Sequence, residues 1–325
     1  MEKLKNRIRR IKIMAEYGFG VDIGGTTVKL GLFGIEGNLI DNWEIPTRKD
    51  DGGKYILGDV AEAILKKMEE KNIPKHNCAG VGMGVPGPIK EDGTVIKCVN
   101  LGWGIFNVAD ELSKMVEMPV KVGNDANVAA LGEMWQGGGK GYKNLVMVTL
   151  GTGVGGGIIL DGKILAGVNG AGGEIGHIKI NSEETDVCGC GKTGCLEQYA
   201  SATGIVKAAK KALNTTDRPS RLREVQYISA KEVFDAAKAG DDLADELVNE
   251  LGYNLGLALS HIACVVDPEA FVIGGGVSKA GEILINTIKK YYEENAFHAC
   301  RGAKFELATL GNDAGIYGAA ALILK

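Results

Sequence analysis

Two short turns rich in glycine and threonine, each between two apolar runs, constrain the fold of this chain most strongly. The first lies in YGFGVDIGGTTVKLGLF (17–33), and the second in LVMVTLGTGVGGGIIL (145–160), about 126 positions later. Apolar and β-branched residues on both sides of each turn predict an antiparallel hairpin. A near-repeat of this kind indicates an α/β fold with two duplicated halves, each built on one hairpin.

The first turn has the chemistry of a phosphate-binding loop, although the Walker pattern is absent. Gly24 and Gly25 expose backbone N–H groups, and Thr26 and Thr27 add two hydroxyls, a combination that suits phosphate oxygens. Asp22 precedes the turn and is placed to hold magnesium through water. The alternative is a hairpin with a purely structural role.

The second turn also matches the dinucleotide pattern G-x-G-x-x-G at Gly151, Gly153 and Gly156, with Glu174 eighteen residues further on. The residues that follow are strand-like, whereas that motif needs a helix N-terminus under the pyrophosphate, so we reject the dinucleotide interpretation. By contrast, Gly274–Gly276 separate a strand at 270–273 from a helix that begins near Gly281. This order favours close approach of a nucleotide there.

Three polar residues, Asn124, Asp125 and Asn127, fall where a helix at 126–135 is predicted to begin. Asn and Asp are preferred N-cap residues, and capping is the simplest explanation of the cluster. A cap uses one residue, however, and the excess makes Asp125 a candidate for chemistry.

Apolar spacing predicts further helices that pack in the core. A helix near 55–71 has one apolar stripe, formed by Ile56, Val60, Ile64 and Met68. A second, longer stripe at i,i+4 spacing is formed by Leu243, Leu247, Leu251, Leu255 and Leu259. Ser229 with Glu232 predicts a capping box that starts another helix.

Three cysteines, Cys188, Cys190 and Cys195, follow His177 in a segment with glycines at 189, 191 and 194. A Cys3His set is typical of tetrahedral zinc, and four protein ligands leave no open position, so the metal would be structural. Free thiols or a redox pair are the alternative. The other four cysteines are scattered and expected to be buried as small apolar residues.

Bulk properties exclude several classes of function. The 325-residue chain has a net charge of −4, which argues against nucleic-acid binding. It contains no apolar run of about 18 residues, so we expect no membrane span. Seven cysteines without an apolar leader favour the cytoplasm. The basic segment 1–16 is interpreted as an extension, with a nucleic-acid arm as the alternative. The 49 glycines are clustered, which predicts loops that approach a ligand.

Six motifs occur in one order along the chain: 22–26 (DIGGT), 84–88 (GVPGP), 123–127 (GNDAN), 150–156 (LGTGVGG), 173–177 (GEIGH) and 188–197 (CGCGKTGCLE). Together they resemble the ROK family of sugar kinases and repressors, and among its members the bacterial ATP-dependent glucokinases. The resemblance covers about residues 17–325. It implies an actin/hexokinase-like (ribonuclease H-like) ATPase fold, with duplicated mixed β-sheet cores and two lobes around a cleft. We expect a smaller lobe of 17–122 plus about 311–325, and a larger lobe of 123–310 with the zinc knuckle at 177–195.

The resemblance also implies residue roles. Asp125 matches the catalytic base that takes the proton of the sugar 6-hydroxyl. The implied sugar ligands are Gly87, Pro88, Asn100, Asn124, Asp125, Glu174, His177 and Glu197. The implied nucleotide and magnesium site comprises Asp22, Gly24, Gly25, Thr26, Thr27, Lys29, Gly151, Thr152, Gly153, Gly274, Gly275 and Gly276. The implied zinc ligands are His177, Cys188, Cys190 and Cys195, so that His177 would serve both zinc and sugar.

The activity that follows from the resemblance is transfer of phosphate from Mg-ATP to glucose in carbohydrate metabolism, by a cytoplasmic homodimer. Another hexose is the first alternative: fructose, mannose, allose, N-acetylglucosamine or N-acetylmannosamine. A sugar-sensing regulator without catalysis is the second. Family repressors carry a helix-turn-helix domain ahead of the kinase-like core, and only about 20 residues precede Asp22 here, so we expect a kinase.

Overall fold

The computed structural model describes residues 15–325, and these divide into two compact units. The first unit contains the described residues up to Gly141 together with 162–172 and 312–325, and the second contains 142–161 and 173–311. The boundary expected after residue 122 differs from this division, which places 123–141 and 162–172 in the first unit. Residues 1–14 of the predicted basic extension lie outside the described residues.

The first unit is built on a five-stranded mixed sheet with the spatial order β3-β2-β1-β4-β7. These strands are β1 (Tyr17–Ile23), β2 (Thr27–Gly34), β3 (Leu39–Pro46), β4 (Cys78–Val85) and β7 (Val120–Asn124). Strands β1 and β2 form the predicted hairpin and pair antiparallel, with Asp22 opposite Lys29. Strand β4 pairs parallel with both β1 and β7, so the carboxyl ends of all three meet at one edge.

Five helices and a small two-stranded sheet complete the described part of the first unit. The helices are α1 (Asp50–Gly53), α2 (Ile56–Glu70), α3 (Val108–Val116), α4 (Asp125–Gln136) and α10 (Ala314–Leu324). The small sheet pairs β5 (Thr94–Val95) with β6 (Phe106–Asn107), and a two-residue strand β10 (Lys163–Ile164) lies in the 162–172 segment. The apolar stripe predicted for α2 is confirmed, since Ile56, Val60, Ile64 and Met68 are all buried.

Helix α10 packs unusually closely on the first sheet and on α4, and glycines make this possible. A Cβ on Gly82 of β4 would lie 1.7 Å from the Ala319 carbonyl oxygen, and one on Gly318 would lie 1.6 Å from the Val128 carbonyl oxygen. No side chain fits between these backbones. Part of the glycine excess therefore serves helix packing, whereas the sequence predicted ligand-binding loops. The same packing explains why α4 belongs to the first unit.

The second unit repeats the plan of the first. Its strands β9 (Val154–Leu160), β8 (Leu145–Leu150), β11 (Ala270–Gly274) and β12 (Lys304–Leu307) lie in that spatial order. An antiparallel hairpin is again followed by two parallel strands, so the predicted duplication is confirmed. The helices are α5 (Glu197–Ala200), α6 (Ala202–Thr215), α7 (Ala230–Lys238), α8 (Asp242–Val266) and α9 (Glu282–Asn295).

Helix α8 supplies the long leucine stripe of the second core, with Leu243, Leu247, Leu251, Leu255 and Leu259 all buried. Helix α9 packs along it, and a capping box of Ser229 and Glu232 starts α7, as the sequence predicted. Among the described residues, no helix combines the length and apolar character needed to cross a membrane.

Candidate active site

The turn of the first hairpin is supported from one side and open on the other. The Gly24 N–H donates to the Thr27 carbonyl at 3.0 Å, which closes the turn. Thr47 supports it, because its N–H donates to the Thr26 carbonyl and its hydroxyl donates to the Gly24 carbonyl at 2.8 Å. A Cβ on Gly25 would meet no atom within 4 Å, so the backbone there faces open space. Thr47 was not predicted, since no local pattern distinguishes it.

Asp22 is a half-buried carboxylate at the carboxyl end of β1. Its Oδ2 atom lies 2.3 Å from where a Cβ on Gly315 would stand, so the side chain rests against the first turn of α10. The pKa of Asp22 is raised to about 6, first by burial and then by the charge of Asp125, and the charge of Lys29 opposes the shift. Two like charges this close favour a divalent cation, which supports the predicted magnesium role.

Asn124 is the N-cap of α4, and this resolves the polar cluster at the start of that helix. Its side-chain oxygen accepts from the Asn127 N–H at 3.1 Å, and its amide nitrogen donates to the Gly87 carbonyl at 3.1 Å. Both ends of the amide are therefore used within the first unit. The second N–H of the amide nitrogen and the second lone pair of the oxygen remain for a sugar hydroxyl.

Asp125 is the first residue of α4, and its Oδ1 atom accepts from the Ala126 N–H at 2.8 Å. The positive end of the helix dipole favours a negative charge at this position. A carboxylate held in its ionised form is the state required of a general base. Asn127 instead points inward: its amide nitrogen donates to the Gly172 carbonyl at 3.3 Å, and its oxygen is buried without a hydrogen-bond partner.

Three further residues of the predicted site lie in the first unit. Lys29 donates to the Asn312 carbonyl at 3.1 Å and lies 3.8 Å from the carboxylates of both Glu44 and Asp313. It therefore supports the segment before α10 in this structure, and its charge already faces two carboxylates. Pro88 follows Gly87 in the turn after β4, and Asn100 is exposed in a 3-10 turn at Val99–Leu101.

In the second unit, the hairpin turn Gly151–Gly153 rests on the segment that follows the cysteines. The Gly151 carbonyl accepts from the Ala202 N–H at 2.9 Å, and the Gly151 N–H donates to the Gly153 carbonyl. Thr152 is exposed at the tip of the turn. The Glu197 carboxylate lies against Gly153, where a Cβ would be 2.5 Å from Oε2. A side chain at position 153 would therefore displace the Glu197 carboxylate.

Gly276, the last of the three glycines after β11, borders a cavity of about 190 Å³. Gly275 adopts a left-handed φ of 84°, and a Cβ there would lie 2.5 Å from the Leu150 carbonyl oxygen, so Gly274–Gly276 pass close to the end of β8. Phe234 of α7 and Val277 provide apolar walls of the cavity, while Lys231, Lys238 and Lys279 provide cations. Phe234, Lys231 and Lys238 were not predicted, because they lie on a different element, α7. Lys279, in the 3-10 turn Gly276–Ala280, was not predicted either.

The predicted zinc ligands are brought together. The ligand atoms of His177, Cys188, Cys190 and Cys195 all lie within 4.8 Å of one another. His177 Nδ1 is 3.7 Å from Cys188 Sγ, and Cys190 Sγ is 3.6 Å from Cys195 Sγ. Zinc–sulfur bonds of about 2.3 Å at tetrahedral angles separate two thiolates by about 3.8 Å, so the donor set fits zinc. All seven cysteines are free thiols in this structure.

Glycines at two positions allow the chain to fold around the cluster. Gly191 has a φ of 85°, and its N–H donates to the Cys188 carbonyl at 2.8 Å. Gly194 has a φ of 74°, and a Cβ there would lie 1.8 Å from the Asn181 carbonyl oxygen. Two of the three glycines that indicated a metal knuckle in the sequence are thus required by its geometry, whereas the structure sets no such requirement at Gly189.

The two flanking carboxylates lie on either side of His177. Glu197 Oε1 accepts from Cys188 Sγ at 2.8 Å and lies 3.6 Å from His177 Nδ1. Glu174 is exposed, and its Oε2 atom lies 4.0 Å from His177 Nε2. The histidine therefore presents Nδ1 to the cysteines and Nε2 to the side of Glu174, which is the arrangement needed if it is to serve a metal and a substrate together.

Comparison with known proteins gives the same assignment as these motifs. The profile of the ROK family matches residues 18–325. A glucokinase of Halalkalibacterium halodurans is 47% identical over 311 residues, which is 94% of each chain. A xylose repressor of Caldicellulosiruptor bescii is 31% identical over 94% of this chain and 77% of its own length.

A solved structure agrees as well. The ROK family glucokinase from Streptomyces griseus, crystallised with glucose and AMPPNP, superimposes with a TM-score of 0.71 and 34% identity over 94% of this chain and 98% of that one. The similarity confirms the expected actin/hexokinase-like fold. Because the family profile spans nearly the whole described chain, we conclude that this protein belongs to the ROK family.

Proposed function

We propose that this protein is an ATP-dependent hexose kinase that converts glucose into glucose 6-phosphate. The observation that carries the proposal is the Asp22–Asp125 pair, which places a helix-N-terminal carboxylate beside a second carboxylate suited to magnesium. The similarity to two glucokinases, one of them bound to glucose and AMPPNP, supports glucose as the acceptor and ATP as the donor.

In this proposal Asp125 removes the proton from the sugar 6-hydroxyl as that oxygen attacks the γ-phosphorus of ATP. The proton passes to the Asp125 carboxylate, and the bond between the γ-phosphorus and the bridging oxygen of ADP breaks. Phosphoryl transfer depends mainly on positioning and charge neutralisation, and a general base adds about 10²–10⁴-fold. Magnesium, bound near Asp22, would neutralise charge on the phosphates.

We assign sugar binding to Asn100, Asn124 and the Gly87-Pro88 turn of the first unit, and to Glu174, His177 and Glu197 of the second. Carboxylates and amides that hydrogen-bond sugar hydroxyls discriminate between epimers, because the wrong epimer leaves a polar group unpaired. The structure supports this assignment for His177, whose Nε2 is turned away from the cysteines.

We assign the phosphates of ATP to the turns at Gly24–Thr27 and Gly151–Gly153, and the adenosine to Gly274–Gly276. The cavity beside Gly276 supports this assignment, since its volume of about 190 Å³ and its Phe234 wall suit a purine base. Lys29 is assigned a supporting role through Asn312, in place of direct phosphate contact.

We assign structural zinc to His177, Cys188, Cys190 and Cys195. When bound, the metal cross-links the segment that carries Glu174 and His177 to the one that carries Glu197. We further propose a cytoplasmic homodimer that does not act on nucleic acid. Light scattering on the purified protein tests the dimer directly.

The deciding experiment measures ADP release in a coupled assay with a panel of hexoses at saturating Mg-ATP. We expect the highest kcat/KM with glucose. A preference for fructose, mannose, allose or an N-acetylated hexosamine would keep the kinase and replace the sugar, and no turnover with any sugar would favour a regulator.

A variant pair tests the catalytic base. We expect Asp125→Asn to lower kcat by at least about 10²-fold with little change in sugar affinity. Asp110→Asn, at an exposed first-turn position of α3, is the matched control and should retain full activity. Near-normal turnover in Asp125→Asn would remove Asp125 as the base.

A further inference from the structure

The loop at 181–187, between His177 and Cys188, is tied to helix α5 by two side chains to which the motifs assign no role. The first is Gln198. Its side-chain oxygen accepts from the Cys195 N–H at 2.9 Å, and its side-chain nitrogen donates to the Asp186 carbonyl at 2.8 Å. One amide thus joins the backbone of the last zinc ligand to the backbone just before the first cysteine.

The second is Tyr199. Its hydroxyl donates to Glu184 Oε2 at 2.6 Å and accepts from the Asn181 amide nitrogen at 2.8 Å. Both partners in turn order the loop backbone. Glu184 Oε1 accepts from the N–H groups of Thr185 and Asp186, each at 2.9 Å, and Asn181 Oδ1 accepts from the Glu183 N–H at 2.9 Å. Burial, followed by the hydrogen bond to Glu184, raises the pKa of Tyr199 to about 12, so the phenol remains a donor at neutral pH.

Helix α5 needs such support because it has only four residues, Glu197–Ala200. A single helical turn makes few backbone hydrogen bonds of its own and is unstable without tertiary contacts. Glu197, at its start, lies between Cys188, His177 and Gly153. A change in the orientation of α5 would therefore move Glu197 relative to all three.

We propose that Gln198 and Tyr199 are positioning residues that hold the 181–187 loop against α5, and so set both zinc retention and the orientation of Glu197 toward the sugar. They contact neither reacting atoms nor metal. The part that concerns the sugar rests on the proposed function, whereas the part that concerns zinc does not. Removal of partners that orient metal ligands usually costs about 10–100-fold in metal affinity or activity.

The test uses zinc-loaded protein and the variants Tyr199→Phe and Gln198→Met. The control is Tyr227→Phe, because Tyr227 is 79% exposed. Zinc transfer to a chromogenic chelator should be about tenfold or more faster in both variants than in the control. The KM for glucose should rise about three- to tenfold, while kcat and the KM for Mg-ATP stay within about twofold.

Gln198→Glu provides a conservative rescue, because its carboxylate still accepts from the Cys195 N–H while the donor to Asp186 is lost. We expect zinc release intermediate between the wild type and Gln198→Met. Wild-type zinc release in both Tyr199→Phe and Gln198→Met would overturn the proposal. A lower melting temperature with unchanged zinc release and unchanged glucose KM would also overturn it, since that pattern indicates stability alone.

The zinc measurement separates this inference from the proposed function. If the wild type phosphorylates another hexose, the KM for that sugar replaces the KM for glucose. If the wild type phosphorylates no sugar, faster zinc release in the two variants still supports the positioning role toward the metal, and unchanged release still refutes it.

Discussion

Asp22 offers a sharp test, because the structure predicts that this residue destabilises the metal-free protein. Its pKa is raised from 3.8 to about 6, first by burial and then by the charge of Asp125. One pKa unit corresponds to about 1.4 kcal/mol, so ionised Asp22 costs the fold about 3 kcal/mol. The isosteric variant Asp22→Asn removes this charge and should be more stable than the wild type.

The direction of this stability change and the pH range over which it develops follow from the linkage between protonation and folding. A carboxyl whose pKa is higher in the folded state contributes stability that is complete below pH 3.8 and is lost as the pH rises through about 6. The advantage of Asp22→Asn should therefore be small near pH 4 and nearly complete above about pH 7. About 3 kcal/mol corresponds to a melting temperature roughly 4 °C higher for a chain of this length.

The assay is thermal unfolding without magnesium, at pH values from 4 to 8, with Asp217→Asn in an exposed loop as the control. The more stable variant should have lost the use of Mg-ATP, so that stability and activity change in opposite directions. If Asp22→Asn is no more stable than the wild type at pH 7.5, the inferred cost of burying an ionised Asp22 beside Asp125 is wrong.

Three further predictions concern nucleotide binding, backbone packing and metal. The KM for Mg-ATP should rise as the pH falls below about 6, because protonated Asp22 no longer attracts magnesium; a flat profile between pH 5 and 8 would contradict this. Gly82→Ala should destabilise the folded protein by several kcal/mol, since its Cβ would stand 1.7 Å from a carbonyl oxygen. Its control is Gly58→Ala in α2, where the new Cβ would meet open space. In the same unfolding assay this control should stabilise the protein by about 0.5–1 kcal/mol. Cys190→Ser should lower the zinc content measured by atomic absorption from about one per chain, and full retention would exclude Cys190 as a ligand.

The local features of this protein could be predicted from the sequence because short-range physics controls them. Apolar spacing predicted helix α2, the leucine stripe of α8 and the capping box at Ser229, and all three are confirmed. The two Gly/Thr hairpins are confirmed as well. The cysteine cluster depends on ligands at most 18 residues apart, and the structure brings its four members together.

Features that depend on distant contacts could not be predicted. The cap that Asn124 forms on α4 is a local bond, whereas the hydrogen bond from its amide nitrogen to the Gly87 carbonyl, on another strand end, could not be predicted. Lys29 faces Asn312, and Thr47 supports the first turn, through pairings of strands and segments far apart in the chain. The first unit includes α4, beyond the boundary expected after residue 122, because α4 packs against α10 near the end of the chain.

The sequence by itself therefore determined the secondary structure, the duplicated plan and the residue types of the candidate site, since each depends on neighbours within a few turns of chain. Only the tertiary structure decided how deeply those residues are buried and which charges lie near them. Asp22 has a pKa near 6 first because packing around the end of β1 buries its carboxyl, and second because the parallel strands β1, β4 and β7 end at one edge, where the charge of Asp125 acts on it. The burial of a residue and the electrostatic potential around it depend on all the atoms that lie close to it in space. The spacing of residues along the sequence does not specify which atoms these are.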